Sequence, residues 1–128
     1  MSTCATATET ATGSALTPRA LASLNALGVT PALWRTPWGI TASFTEEVAR
    51  EHELRIVGWS VDTHDWRGDT ACEMLSATRP GLQAGAVVVA HDGIGPGARR
   101  TDAAETVTYT ELVADHARRS ALSLEALA

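Results

Sequence analysis

The chain of 128 residues has no lysine; all ten of its basic residues are arginine. With its abundant alanine, that absence is read as compositional bias rather than function. Fifteen acidic residues leave a net charge of −5. A phosphate-backbone partner would need a basic face, so nucleic acid is not an expected ligand. The two cysteines, Cys4 and Cys72, match no metal spacing and make no disulfide framework. No apolar run approaches the ~20 residues that span a bilayer. The N-terminus has neither a basic n-region nor an apolar h-region, so no signal peptide is expected. As written, the chain reads as cytoplasmic, with a parent protein that is free to be secreted. What is present is ordinary for a globular domain: 45% hydrophobic and 20% charged residues, enough at this length for one core.

Residues 1–16 are Ala/Thr-rich, show no apolar period and are expected to have little order. From residue 17 onward the pattern alternates. Thr17-Pro18 reads as a helix start, Leu21, Leu24 and Leu27 as its stripe, and Gly28 as its stop. Leu33-Trp34-Arg35 reads as a strand. A helix from Ser43 or Thr45 to Glu53 follows, with Glu46 and Glu47 at its positive end. Arg55 to Val61 reads as one continuous strand. Asp69 is the expected cap of a helix to about Thr78 that turns Cys72, Met74 and Leu75 inward, and Pro80-Gly81 ends it. Val87-Val88-Val89 is the third strand. A glycine-rich loop, residues 93–101, carries Arg99-Arg100 as a solvated pair. Asp102-Ala103-Ala104-Glu105 resembles a capping box before a last helix, with Val107, Val113 and Ala117 as core candidates. Helices alternating with strands imply α/β architecture with parallel strands and right-handed crossovers.

In such folds chemistry collects at the carboxyl ends of the strands. Here those ends are Arg35-Thr36-Pro37-Trp38-Gly39, Trp59-Ser60-Val61-Asp62-Thr63-His64-Asp65-Trp66, and Val88-Val89-Ala90-His91-Asp92. They are expected to share one rim.

These three segments, in this order, resemble the last three motifs of the polysaccharide deacetylases. That family, carbohydrate esterase family 4, includes chitin, chitooligosaccharide and peptidoglycan deacetylases. The resemblance covers about residues 17–119. It implies a partial, distorted (β/α) barrel and, for 17–128, the C-terminal part of a deacetylase domain. The implied reaction is hydrolysis of a non-peptide carbon–nitrogen bond, the N-acetyl amide of a sugar, and so the implied ligand is an N-acetylated oligo- or polysaccharide. Matched residue by residue, His91 takes the part of the acid that protonates the leaving amine. Asp65 becomes the carboxylate that orients it, and Arg35 the arginine that faces the base aspartate. Trp38, Trp59 and Trp66 become groove walls. An imidazole suits proton delivery at neutral pH, and a carboxylate on its other nitrogen fixes the tautomer.

The sequence also departs from the family. The family holds a divalent metal such as zinc with one aspartate and two histidines, beside a base aspartate. This chain has no Asp-Asp pair and no His-x-x-x-His; His52, His64, His91 and His116 are widely spaced. Ala7-Thr8-Glu9-Thr10-Ala11 occupies the place of the histidine motif, with alanine at both ligand positions. No cofactor is therefore expected on this chain. The leading expectation is a truncated deacetylase that is inactive alone. Two alternatives stay open: a carbohydrate-binding remnant that uses the tryptophans, and a half-barrel that works with a second chain. An open sheet edge is expected to favour self-association.

Overall fold

The computed structural model describes residues 18–127. The low-complexity stretch 1–16, its Ala7 to Ala11 segment and the Thr17 cap lie outside the described residues. The chain forms two compact units, one ending at Gly58 and the other spanning Trp59–Leu127. Among the described residues, no helix is long and apolar enough to cross a membrane.

The first unit begins with helix α1, residues 18–26. Gly28 ends it as expected, in the left-handed region at φ 77°. Its N–H bonds to the Asn25 carbonyl at 2.9 Å, and Val29 N–H reaches back to Leu24 at 3.0 Å. This is the Schellman arrangement, which satisfies the last carbonyls of a helix. The leucine stripe departs from expectation: Leu27 lies past the helix end and is 79% exposed, and Leu24 is also exposed.

Strand β1, Leu33–Trp34, pairs in parallel with β2, Arg55–Ile56. Between them lies α2, Thr45–Glu51, which buries Thr45, Val48 and Ala49. Thr45, one of the two expected starts, is the first helical residue, and its Oγ1 accepts from Ala42 N–H at 2.8 Å. The helix stops before Glu53, which takes the left-handed conformation at φ 54°. Leu54 N–H then bonds to the Ala49 carbonyl at 2.8 Å. The same Schellman closure is thus built here with a residue that gives no glycine signal.

The expected strand from Arg55 to Val61 is two strands in two sheets. Val57 N–H bonds to the Trp34 carbonyl, whereas Ser60 and Val61 N–H both bond to the Val87 carbonyl, at 2.9 and 3.1 Å. The ladder changes partner around Gly58, and two N–H groups sharing one carbonyl is the geometry of a bulge.

The second unit opens with β3, Val61–Asp62, which pairs in parallel with β4, Val88–Val89. The crossover is α3, Ala71–Thr78. Its cap is Thr70, not Asp69: Thr70 Oγ1 accepts from Glu73 N–H, and Glu73 bonds back to Thr70 N–H. Hydrogen bonds from Thr70 hold the Glu73 carboxyl below the usual range. Helix α4, Ala104–Arg119, packs on α3. Ala71, Met74, Leu75 and Tyr109 form the buried cluster between them, with Leu82, Val88, Leu112 and Val113 around it. Full burial of a side chain such as Met74 or Leu75 contributes about 1.5–3 kcal/mol. Gly81 lies so close to β3 that a Cβ there would come within 2.9 Å of Val61 Cγ2.

Two inward assignments and one capping assignment fail. Cys72 and Val107 are exposed. Glu105 does not close its own capping box; its carboxylate accepts from Ala71 N–H, 2.7 Å away at the start of α3. A carboxylate is equally well placed there, since it meets an orphan donor and the positive end of a helix. Tyr109, which the apolar pattern did not mark, is a buried core residue. Thr78 Oγ1 spends its one hydrogen on the Met74 carbonyl at 2.8 Å, so the Tyr109 hydroxyl, 2.9 Å away, donates to Thr78. Burial pushes the Tyr109 hydroxyl up, only partly offset by that hydrogen bond.

Candidate functional site

The candidate site stands at the carboxyl ends of β3 and β4. After Asp62 the chain turns sharply. The Asp62 carboxylate accepts from His64 N–H at 2.8 Å and steadies His64 in the left-handed region, at φ 50°. Thr63 is pinned to the neighbouring strand, its Oγ1 donating to the Val89 carbonyl at 2.9 Å. That turn carries Asp65 inward, into a single 3-10 turn with Trp66 and Arg67. Asp62 is therefore a turn-forming residue.

The Asp65 side chain is fully buried, and both its oxygens are in use. Oδ1 lies 2.7 Å from His91 Nδ1. Oδ2 accepts from His91 N–H at 2.8 Å, from Arg100 Nη1 at 3.0 Å and from Thr106 Oγ1 at 2.9 Å. Burial alone would raise the Asp65 carboxyl, but the bonds from the His91 ring and backbone, from Thr106, and the Arg100 charge together hold it below the ordinary range. An ionised carboxylate only accepts, so His91 Nδ1 carries the hydrogen of that bond. The His91 side chain is 51% exposed. Its other nitrogen, Nε2, has no hydrogen bond among the described residues.

Arg100 is the member of this cluster that sequence reasoning missed. It is not a solvated partner of Arg99 but a buried cation. Besides Asp65 it donates to Thr106 Oγ1, to the His91 carbonyl at 2.7 Å and to the Gly93 carbonyl at 2.9 Å. The loop that carries it is docked as well, with Arg99 N–H on the Trp66 carbonyl at 2.7 Å. No composition signal separates Arg100 from Arg99; only the backbone path does.

The other sequence candidates lie as follows. Arg35 is exposed at the end of β1, in the first unit. Trp38, also in the first unit, is 79% exposed, with φ 61° inside the turn Pro37–Gly39. Trp59 and Trp66 belong to the second unit. Trp66 is exposed and has the Arg67 guanidinium 5.2 Å from its ring centre. Among the described residues, no group of three His, Cys, Asp or Glu could hold a metal ion.

A bifunctional xylanase/xylan deacetylase from Cellvibrio japonicus is 39% identical over 69 residues, 54% of this chain and 10% of that one. A chitooligosaccharide deacetylase from a Bradyrhizobium species is 35% identical over 71 residues, 56% of this chain and 32% of that one. A peptidoglycan-N-acetylglucosamine deacetylase from Listeria monocytogenes is 37% identical over 65 residues, 51% and 13% of the two chains. The sequence relationship is to the polysaccharide deacetylases, over part of their length. The matched segment is at most about a third of these relatives. No family model matches the sequence. In structure, a family 4 carbohydrate esterase from Streptomyces lividans, in complex with acetate, superposes with a TM-score of 0.72 at 23% identity, over 87% of this chain and 53% of that one. A peptidoglycan N-acetylglucosamine deacetylase gives 0.69 at 23% identity, over 81% and 46%. The α/β fold with parallel strands is thus one that deacetylases share.

Proposed function

We propose that His91 and Asp65 are the acid element of a polysaccharide-deacetylase site, and that this chain alone does not complete the reaction. The observation that carries this reading is the 2.7 Å bond between Asp65 Oδ1 and His91 Nδ1, with the ring half open to solvent. Cleaving an amide requires a proton on the leaving nitrogen. Asp65 occupies Nδ1, so Nε2 is the atom left to give or take that proton. The substrate class, an N-acetylated oligo- or polysaccharide, is suggested by what the relatives are named for.

The rest of the machinery is not among these residues. The family's metal would supply an activated water, and it takes two histidines and an aspartate. All four histidines of the chain are described, and among the described residues none belongs to a three-ligand group. The described residues do not fit that ion. Arg35 remains the match for the arginine that faces the base aspartate. The two strand–helix–strand units read as a section of the distorted (β/α) barrel, a reading supported by superposition on about half of a family 4 esterase.

The test is acetate release from N-acetylated chitooligosaccharides with added zinc. The chain alone should release none above background. Fused to the segment of a relative that carries the Asp-Asp and His-x-x-x-His motifs, it should become active, and His91→Ala should abolish that activity. Zinc-stimulated release by the chain alone would overturn the inactivity. A folded, active fusion indifferent to His91→Ala would overturn the acid role.

The exposure of Trp66 favours a second reading, in which this tryptophan belongs to a carbohydrate-binding surface. Tryptophan fluorescence should then be quenched by chitooligosaccharide and the effect weakened by Trp66→Ala. A flat titration at millimolar sugar would reject it.

A further inference from the structure

We infer that Arg100, with Thr106, is the positioning group of the His91–Asp65 pair. The inference takes that pair as the working element proposed above, but its test does not depend on turnover.

The two carboxylate oxygens of Asp65 have different employment. Oδ2 accepts three hydrogens, from His91 N–H, Arg100 Nη1 and Thr106 Oγ1. Oδ1 accepts one, from the His91 ring. A carboxylate in an otherwise free setting can rotate and exchange its oxygens. Three donors on Oδ2 prevent that and leave Oδ1 for the ring alone.

Arg100 does more than saturate Oδ2. Of its five N–H hydrogens, the two on Nη1 go to Asp65 and Thr106, and the two on Nη2 go to the His91 and Gly93 carbonyls. Only Nε is left, buried without a partner among the described residues. One rigid, planar group therefore grips both the carboxylate that orients the imidazole and the backbone of the residue that bears it. Movement of either relative to the other would break bonds to the same guanidinium. Lysine has a single point of charge on a flexible stem and cannot span those acceptors. Thr106 completes the arrangement by accepting from Arg100 and donating to Asp65, so it sets where the guanidinium and the carboxylate meet.

The consequence is a tautomer. A neutral histidine side chain free in water carries its hydrogen mainly on Nε2; in this site the placed Oδ1 holds it on Nδ1 and keeps Nε2 as the proton-accepting atom. The experiment is nitrogen-15 NMR of the His91 ring in the full 128-residue chain, at a pH where the ring is neutral. The wild-type chain should give the Nδ1–H signature. Arg100→Met and Arg100→Lys should both lose it in favour of Nε2–H, because neither retains the four-acceptor grip. Thr106→Val, which changes no charge, should lose it in part. Arg99→Met, which removes a neighbouring cation outside this network, should leave it as in the wild type. Should Arg100→Met fail to fold, Arg100→Lys and Thr106→Val still decide the matter. Retention of the Nδ1–H form in folded Arg100→Lys and Thr106→Val would overturn the inference. A wild-type ring without the Nδ1–H signature would instead sink the dyad itself, a failure distinct from that of Arg100. Acetate release by the fusion described above is a third, separate readout of the deacetylase reading.

Discussion

The two units use polar side chains differently. In the unit ending at Gly58, Ser23 bonds to the Arg19 carbonyl and Thr45 to Ala42 N–H, contacts three or four residues apart. In Trp59–Leu127, comparable groups act across long stretches of chain. Glu105 reaches Ala71, Tyr109 reaches Thr78, and Thr63 reaches Val89. Asp65 alone connects to His91, Arg100 and Thr106, up to 41 residues away. Leu24, Leu27, Val29 and Ile40 stay exposed in the first unit, whereas the second closes a cluster around Met74 and Tyr109. The lesson is about placement of chemistry. A buried carboxylate needs a surrounding structure that supplies donors from several elements, and the second unit has it.

The contrast is broken most severely at Asp65. Asp65→Ala leaves the Arg100 guanidinium buried without its counter-charge, and removing one partner of a buried pair costs about 3–5 kcal/mol. A urea melt should register that loss, and hydrogen exchange should place it in amides of Trp59–Leu127.

Acid should act through the same residue. The Asp65 carboxyl is held below its ordinary 3.8 in the folded chain. The unfolded chain therefore takes up its proton first as pH falls. The stability this group contributes is fully present above that ordinary value, and it is lost as pH drops through the lower folded one. Urea midpoints for the wild type should hold down to about pH 4 and then decline. In Asp65→Asn that part of the decline should be missing. An equal acid slope in both proteins would show that other carboxylates set it.

A milder test lies in the helix pair. Tyr109→Phe removes the hydroxyl that donates to Thr78 and keeps the ring, so a loss of about 1 kcal/mol is expected in a urea melt. In the first unit the change with the smallest expected effect runs the other way. Glu53 holds a left-handed conformation, which costs an L side chain roughly 1–2 kcal/mol. Glu53→Gly should stabilise the first unit by a few tenths to about 1 kcal/mol, after the added freedom of glycine in the unfolded chain is set against it. Destabilisation would mean that the Glu53 side chain makes a contact worth more than its strain.

Glu53 also marks where sequence reasoning ends. Gly28 announces its turn because only glycine reaches φ 77° without penalty, so the residue type and the conformation coincide. Glu53 and Ala121 adopt the same region with no such sign, because the following N–H groups bond back into their helices and override local preference. Short apolar runs likewise marked the strands near Leu33, Arg55 and Val88. It could not tell that Val57 and Val61 pair in different ladders, since each looks equally extended.

By itself, the sequence determined the alternation of strands and helices, the parallel pairing, and the relationship of three strand-end motifs to deacetylases. It also placed His91 and Asp65 where they could meet, since each follows a short apolar run by a few residues and parallel neighbours bring such positions to one end. Only the tertiary structure decided which oxygen of Asp65 faces the ring, that Arg100 rather than Arg99 is buried, and that Glu105 serves another helix. Those choices depend on donors and acceptors that meet in space from residues tens of positions apart. Hydrogen bonds of that kind leave no period, no spacing and no composition in the chain that makes them.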